Sequence, residues 1–77
     1  MNWGQKLLVG FHPPFTVREA DESLQDARGE VLTGDEARTL AALCTETSLG
    51  DWRGENIREV AAALTREREG LERGGQG

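Results

Sequence analysis

From Thr33 onward the chain places apolar residues at helical spacing twice in succession, so any fold for it must accommodate two amphipathic helices joined by a short connection. Thr33-Gly34-Asp35-Glu36 has the form of a capping box, in which the threonine hydroxyl accepts the Glu36 amide proton and the Glu36 carboxylate reaches back to the Thr33 amide. Leu32 and Ala37 stand at the flanking staple positions. Ala37, Leu40, Ala41 and Cys44 then recur at i, i+3, i+4 and i+7, with Leu43 widening the stripe, which predicts a helix of about three turns to Glu46. Ser48-Leu49-Gly50-Asp51 reads as a turn. A second helix is expected from Trp52 or Gly54 to Glu69, with Ile57, Val60, Ala61 and Leu64 on its apolar face and Gly70 closing it in a left-handed conformation. Glu55, Arg58, Glu59 and the run Arg66 to Glu69 give it a solvated, ion-paired outer face. The fold class expected is mainly α, a small helical domain built on a C-terminal helical hairpin.

The first half admits two readings. Pro13-Pro14 forbids regular helix across it, and Thr16 with Glu19 forms another candidate capping box, stapled by Phe15 and Ala20. Val17, Ala20, Leu24 and Ala27 would then line a helix closed by Gly29, and this reading is preferred. In the competing reading Phe15 and Val17 alternate, Asp26-Ala27-Arg28-Gly29 turns and Glu30-Val31-Leu32 returns as a strand. The fold class is then α+β, with a short N-terminal β-hairpin packed on the two helices. Trp3, Leu7, Leu8 and Phe11 fit a helical stripe, while Lys6 to Phe11 alone fits a strand equally well.

With 77 residues there is room for one domain, placed at residues 1–71 with 72–77 as a flexible Gly-rich tail. A chain of this size buries roughly 60–65% of the surface its unfolded form exposes, so its core is thin. Cys44 is the single cysteine and excludes an internal disulfide. The start, Met1-Asn2-Trp3, carries no basic leader, and the longest apolar run, Leu7 to Val9, is far too short for a signal peptide or membrane span, so a cytoplasmic location without membrane contact is expected.

Charge is distributed unevenly. Glu19, Asp21, Glu22, Asp26, Glu30, Asp35 and Glu36 lie in one stretch opposed only by Arg28, a local charge of −6, whereas residues 52–77 balance to zero and the whole chain carries −5. The sequence pI near 4.8 argues against general affinity for nucleic acid or anionic lipid. Such a run suits a basic partner surface, although carboxylates near helix N-termini also serve simply as dipole partners and solubilising groups.

Chemistry is poorly provided for. His12 is the only histidine, Cys44 falls on a buried stripe, and no third residue is spaced to orient such a pair, so no enzyme is expected. A zinc site needs about four N or S ligands, and Asp21, Asp26 and Glu30 lack the EF-hand spacing with its central glycine. No phosphate-binding glycine motif is present, and no cofactor or metal is expected. The helical pair could offer Arg53, Asn56, Arg58 and Arg66 to DNA in a helix-turn-helix manner, but Glu55, Glu59, Glu67 and Glu69 intervene and would repel phosphates.

Leu32-Thr33-Gly34-Asp35-Glu36-Ala37 and Trp52-Arg53-Gly54-Glu55-Asn56-Ile57, each leading into a helix, have the general look of small bacterial and phage helical proteins. The function expected is a non-enzymatic protein-binding module, a bacterial or phage-encoded regulator or inhibitor. It would set the acidic run against a basic site of a larger nucleic-acid-handling machine, as a nucleic-acid mimic does. Trp3, Phe11, Phe15 and Trp52 are the candidate apolar anchors, because so small a core has difficulty burying all four. The alternatives are a self-assembling structural subunit, such as a small virion or scaffold component, and a helix-turn-helix DNA-binding regulator.

Overall fold

The computed structural model describes residues 2–74, and the elements within that range run α1 (Trp3–Leu8), β1 (Thr16–Arg18), β2 (Ser23–Gln25), β3 (Val31–Leu32), α2 (Gly34–Thr45), α3 (Leu49–Arg53) and α4 (Ile57–Gly74). The helices dominate, and a three-stranded antiparallel sheet in the order β1-β2-β3 packs on them.

The capping box at Thr33 forms as its residues dictate: the Glu36 amide donates to Thr33 Oγ1 at 3.1 Å and the Thr33 amide donates to Glu36 Oε1 at 2.9 Å. At the other end of α2, Glu46 adopts a left-handed conformation with φ 56°, and the Thr47 amide returns to the Ala42 carbonyl at 3.0 Å. Ala37, Leu40, Ala41 and Cys44 are buried along one face and meet Ile57, Val60, Ala61 and Leu64 of α4, with the alanines letting the two helices approach closely.

Three details of the C-terminal half differ from expectation, the first being that α4 begins at Ile57 rather than at Trp52 or Gly54, with Trp52 in the separate helix α3. Ser48 to Asp51 is the cap of a short helix rather than an open turn, because Ser48 Oγ accepts the Gly50 amide proton and Asp51 Oδ2 accepts that of Ser48. Helix α4 does not stop at Gly70. The Arg68–Glu72 ion pair spans the glycine at i,i+4 and Leu71 packs on the core beyond it, which offsets the cost of about 1 kcal/mol of a glycine within a helix. Residues 72–74, assigned from sequence to a tail, are therefore helical, and the remainder of that tail lies outside the described residues.

The preferred helix over residues 16–29 is replaced by strands. Val17 pairs with Leu24 across β1 and β2, and Leu24 pairs with Leu32 across β2 and β3. Leu24 and Leu32 point into the helices, while Ala20 and Ala27, the other members of the supposed helical stripe, are exposed. Gly29 sits at φ +89° in the turn between β2 and β3, a conformation that disfavours any side chain.

Helix α1 begins against the C-terminal end of α2. Asn2 caps it through the Gln5 amide and also donates from Nδ2 to the Cys44 carbonyl at 3.0 Å, satisfying an acceptor that α2 leaves open. Its buried residues are Gly4 and Leu8. A Cβ at Gly4 would lie 2.3 Å from the Cys44 nitrogen and 2.6 Å from the Leu43 carbonyl carbon, so the two backbones touch where only glycine fits. Trp3 and Leu7, on the adjoining face of α1, remain 72% and 53% exposed.

Candidate functional site

The seven carboxylates of the acidic run have separate environments. Asp26 is buried, and its carboxylate accepts amide protons from His12 at 2.8 Å, Glu30 at 2.8 Å and Arg28 at 3.0 Å. Burial pushes its pKa up, but the three amides, His12 first, outweigh that and hold the carboxyl below its usual range. Its position organises the β2–β3 turn and ties that turn to the segment after α1. Glu22 reaches Arg38 Nη2 at 3.1 Å, and the same nitrogen donates to the Glu55 carbonyl at 2.9 Å, so this pair fastens the β1–β2 turn to α2 and to the connection between α3 and α4. Glu19 pairs with Arg58 on the surface. Asp21 closes the β1–β2 turn by accepting from the Ser23 hydroxyl at 2.6 Å, which holds its pKa low, together with the Ser23 amide.

Glu30, Asp35 and Glu36 are exposed and form no ion pair among the described residues. Asp35 and Glu36 occupy the first turn of α2, where the helix dipole favours negative charge. The Thr33 amide, and then its hydroxyl, hold the Glu36 carboxyl below the usual range.

The aromatic candidates divide similarly. Phe15 packs on the core from outside. Trp52 is half-buried, and its indole Nε1 donates to the Thr47 hydroxyl at 3.0 Å and toward that of Thr45 at 3.4 Å in a cleft lined also by Asp51, Glu55, Glu59 and Arg66. Trp3 stands in solvent with the Lys6 ammonium 5.0 Å from its ring centroid. Phe11 is half-buried, and its carbonyl accepts from Arg68 Nε of α4 at 3.0 Å.

Phe11, Asp35 and Glu36 meet in one place. A groove of about 390 Å³ lies between α1 and α2, with Leu32 and Leu40 at its base and Leu7, Phe11 and Leu43 along its sides. Thr39 also lines it, and Asp35 and Glu36 form the end nearest the start of α2. Leu7 and Leu43, which sequence reasoning assigned to helical stripes and not to a site, are 53% and 41% exposed there. The signal available for Leu43 was its place beside the strict i, i+3, i+4, i+7 stripe, a position that widens the apolar face past what α4 covers.

Cys44 is buried, and burial, then the charge of Glu67, pushes its thiol up to about 11, so it remains a neutral thiol at physiological pH. His12 Nε2 lies 3.1 Å from Arg28 Nη1. Among the described residues no group of three His, Cys, Asp or Glu side chains gathers as metal ligands, and no helix is long and apolar enough to cross a membrane. Comparison with protein-family models, with curated proteins and with solved structures returned no match.

Proposed function

We propose that this chain is a cytoplasmic, non-enzymatic protein-binding module, a regulator or inhibitor that sets an acidic, aromatic-flanked surface against a basic site on a larger protein machine. The observation that carries the reading is the convergence of Phe11, Asp35 and Glu36 on an apolar groove whose Leu7 and Leu43 are open to solvent. Apolar side chains in a concave site supply affinity, and the unpaired carboxylates beside them steer and orient a cationic partner. A nucleic-acid-handling machine offers such a partner surface, since its phosphate-binding face is rich in Arg and Lys. The mimicry is local: Asp26 is buried and Glu19 and Glu22 are ion-paired within the chain, leaving Asp21, Glu30, Asp35 and Glu36 as the exposed carboxylates without an ion-pair partner among the described residues. A second reading, self-assembly as a structural subunit, draws on exposed Trp3 and Leu7 one helical turn apart on α1.

Affinity capture of the tagged chain from a lysate of its source, at low and high salt, separates the two. The binding-module reading expects one dominant partner released by salt and lost with the Glu30→Lys/Asp35→Lys variant. Recovery of the chain only with itself, with a mass that rises with concentration, replaces that reading with the structural subunit.

A further inference from the structure

We propose that the α1–α2 groove receives a short amphipathic helix of another protein, which places a pair of large apolar side chains against Leu7, Phe11, Leu40 and Leu43 and an Arg or Lys over Asp35 and Glu36. The inference rests on the binding-module reading and specifies the form of its partner. Three observations select this occupant. The groove follows one face of α2 from Asp35 to Leu43, nine residues and about 12 Å at the helical rise, which is the length of about two turns of a bound helix. Its base is closed by Leu32 and Leu40 while its sides remain solvated, so an inserted aliphatic side chain gains contact on several sides at once. Its polar end carries two carboxylates and no cation among the described lining residues, and Asp35 pairs with no cation of its own chain among those residues. A helix that orients an apolar pair along the groove thereby brings a residue one turn away over that end.

A second copy of the chain is the less suitable occupant. Each copy carries −5 and its groove offers carboxylates but no cation among the described lining residues, so a second copy brings net repulsion and no charge complement to the Asp35–Glu36 end. The cleft around Trp52 is a weaker candidate for such a helix because its lining already includes a cation, Arg66, and the indole N–H is satisfied within the chain.

The test selects binders from a random 16-residue peptide library against the full chain, then measures the enriched peptides by fluorescence anisotropy. The expected peptides carry two large apolar residues three or four positions apart and an Arg or Lys within one further turn. Leu43→Glu should weaken them by at least about tenfold, the equivalent of losing one buried aliphatic contact. Thr39→Arg, at an exposed position that leaves the core untouched, should do the same. Asp35→Asn with Glu36→Gln, which keeps the capping box because glutamine serves at that position, should weaken them about fivefold at low salt with the difference vanishing near 1 M salt. Enrichment of acidic or charge-free peptides overturns the proposal, as does indifference of the enriched peptides to both Leu43→Glu and Thr39→Arg, or a failure to enrich any peptide. Sedimentation showing a dimer that Leu43→Glu disperses overturns it in favour of a second copy. If a partner captured from lysate still binds the Leu43→Glu and Thr39→Arg chains but not Glu30→Lys/Asp35→Lys, the groove assignment falls while the binding-module reading stands.

Discussion

The Asp26 carboxylate receives three amide protons while buried at the junction of the β2–β3 turn and the segment after α1. Replacing it with alanine strands those donors, and Asp26→Ala is expected to lose about 2–3 kcal/mol of stability in urea unfolding, with Asp26→Asn losing less because its amide oxygen still accepts. Its folded pKa lies below the unfolded value of 3.8, so its contribution is fully present above that pH and is lost as the pH falls through the lower folded value. Urea midpoints followed from pH 7 to well below 3.8 should therefore fall more steeply below pH 3.8 for the native chain than for Asp26→Asn. The sequence marks Asp26–Gly29 as a turn but gives no sign of the third donor, the His12 amide. Three donors from residues 12, 28 and 30 converge only once a turn and a distant loop have met, whereas the Thr33–Glu36 box lies within four consecutive residues and could be read directly.

At the scale of elements, α2 was legible through its capping box and its 3.6-residue period, and α4 through the period of its apolar face alone. The hairpin was not, and the reason is numerical. Val17 and Leu24 are seven residues apart, a spacing that serves two helical turns and serves equally the cross-strand pair they form. Only tertiary burial separates the cases: Leu24 is fully buried, while Ala20 and Ala27 lie in solvent. The groove was half visible, since Phe11, Asp35 and Glu36 could be chosen by residue type but Leu7 and Leu43 needed the placement of α1. That placement depends on Gly4. Gly4→Ala forces α1 away from the Leu43–Cys44 backbone and is expected to cost about 1–3 kcal/mol in urea or thermal unfolding. Gly54→Ala, whose added methyl meets nothing within 4 Å, should remain within about 0.5 kcal/mol of the native chain.

For the whole molecule, a core built around Leu8, Leu24, Val60 and Leu64 with several alanines has little redundancy. A domain of this length holds a net stability of about 4–11 kcal/mol. Leu64→Ala, at a side chain with no exposure, should remove about 3–5 kcal/mol and leave a chain partly unfolded at 37 °C by circular dichroism. The short hairpin, tied through Glu22 and Arg38 to α2 and the Glu55 carbonyl, should melt with the helices in one transition, because its apolar residues belong to the same cluster.

The contact between Gly4 and α2 is the seat on which α1 rests. A six-residue helix has no stability of its own in water, so α1 is held by that contact, by Asn2 and by Leu8. Leu43 belongs both to this seat and to the groove wall, and Leu7 rides on α1 itself. Whatever occupies the groove therefore also clamps the helix that shapes it, and the occupant's affinity and the docking of α1 form a single linked equilibrium: each strengthens the other by the same free energy.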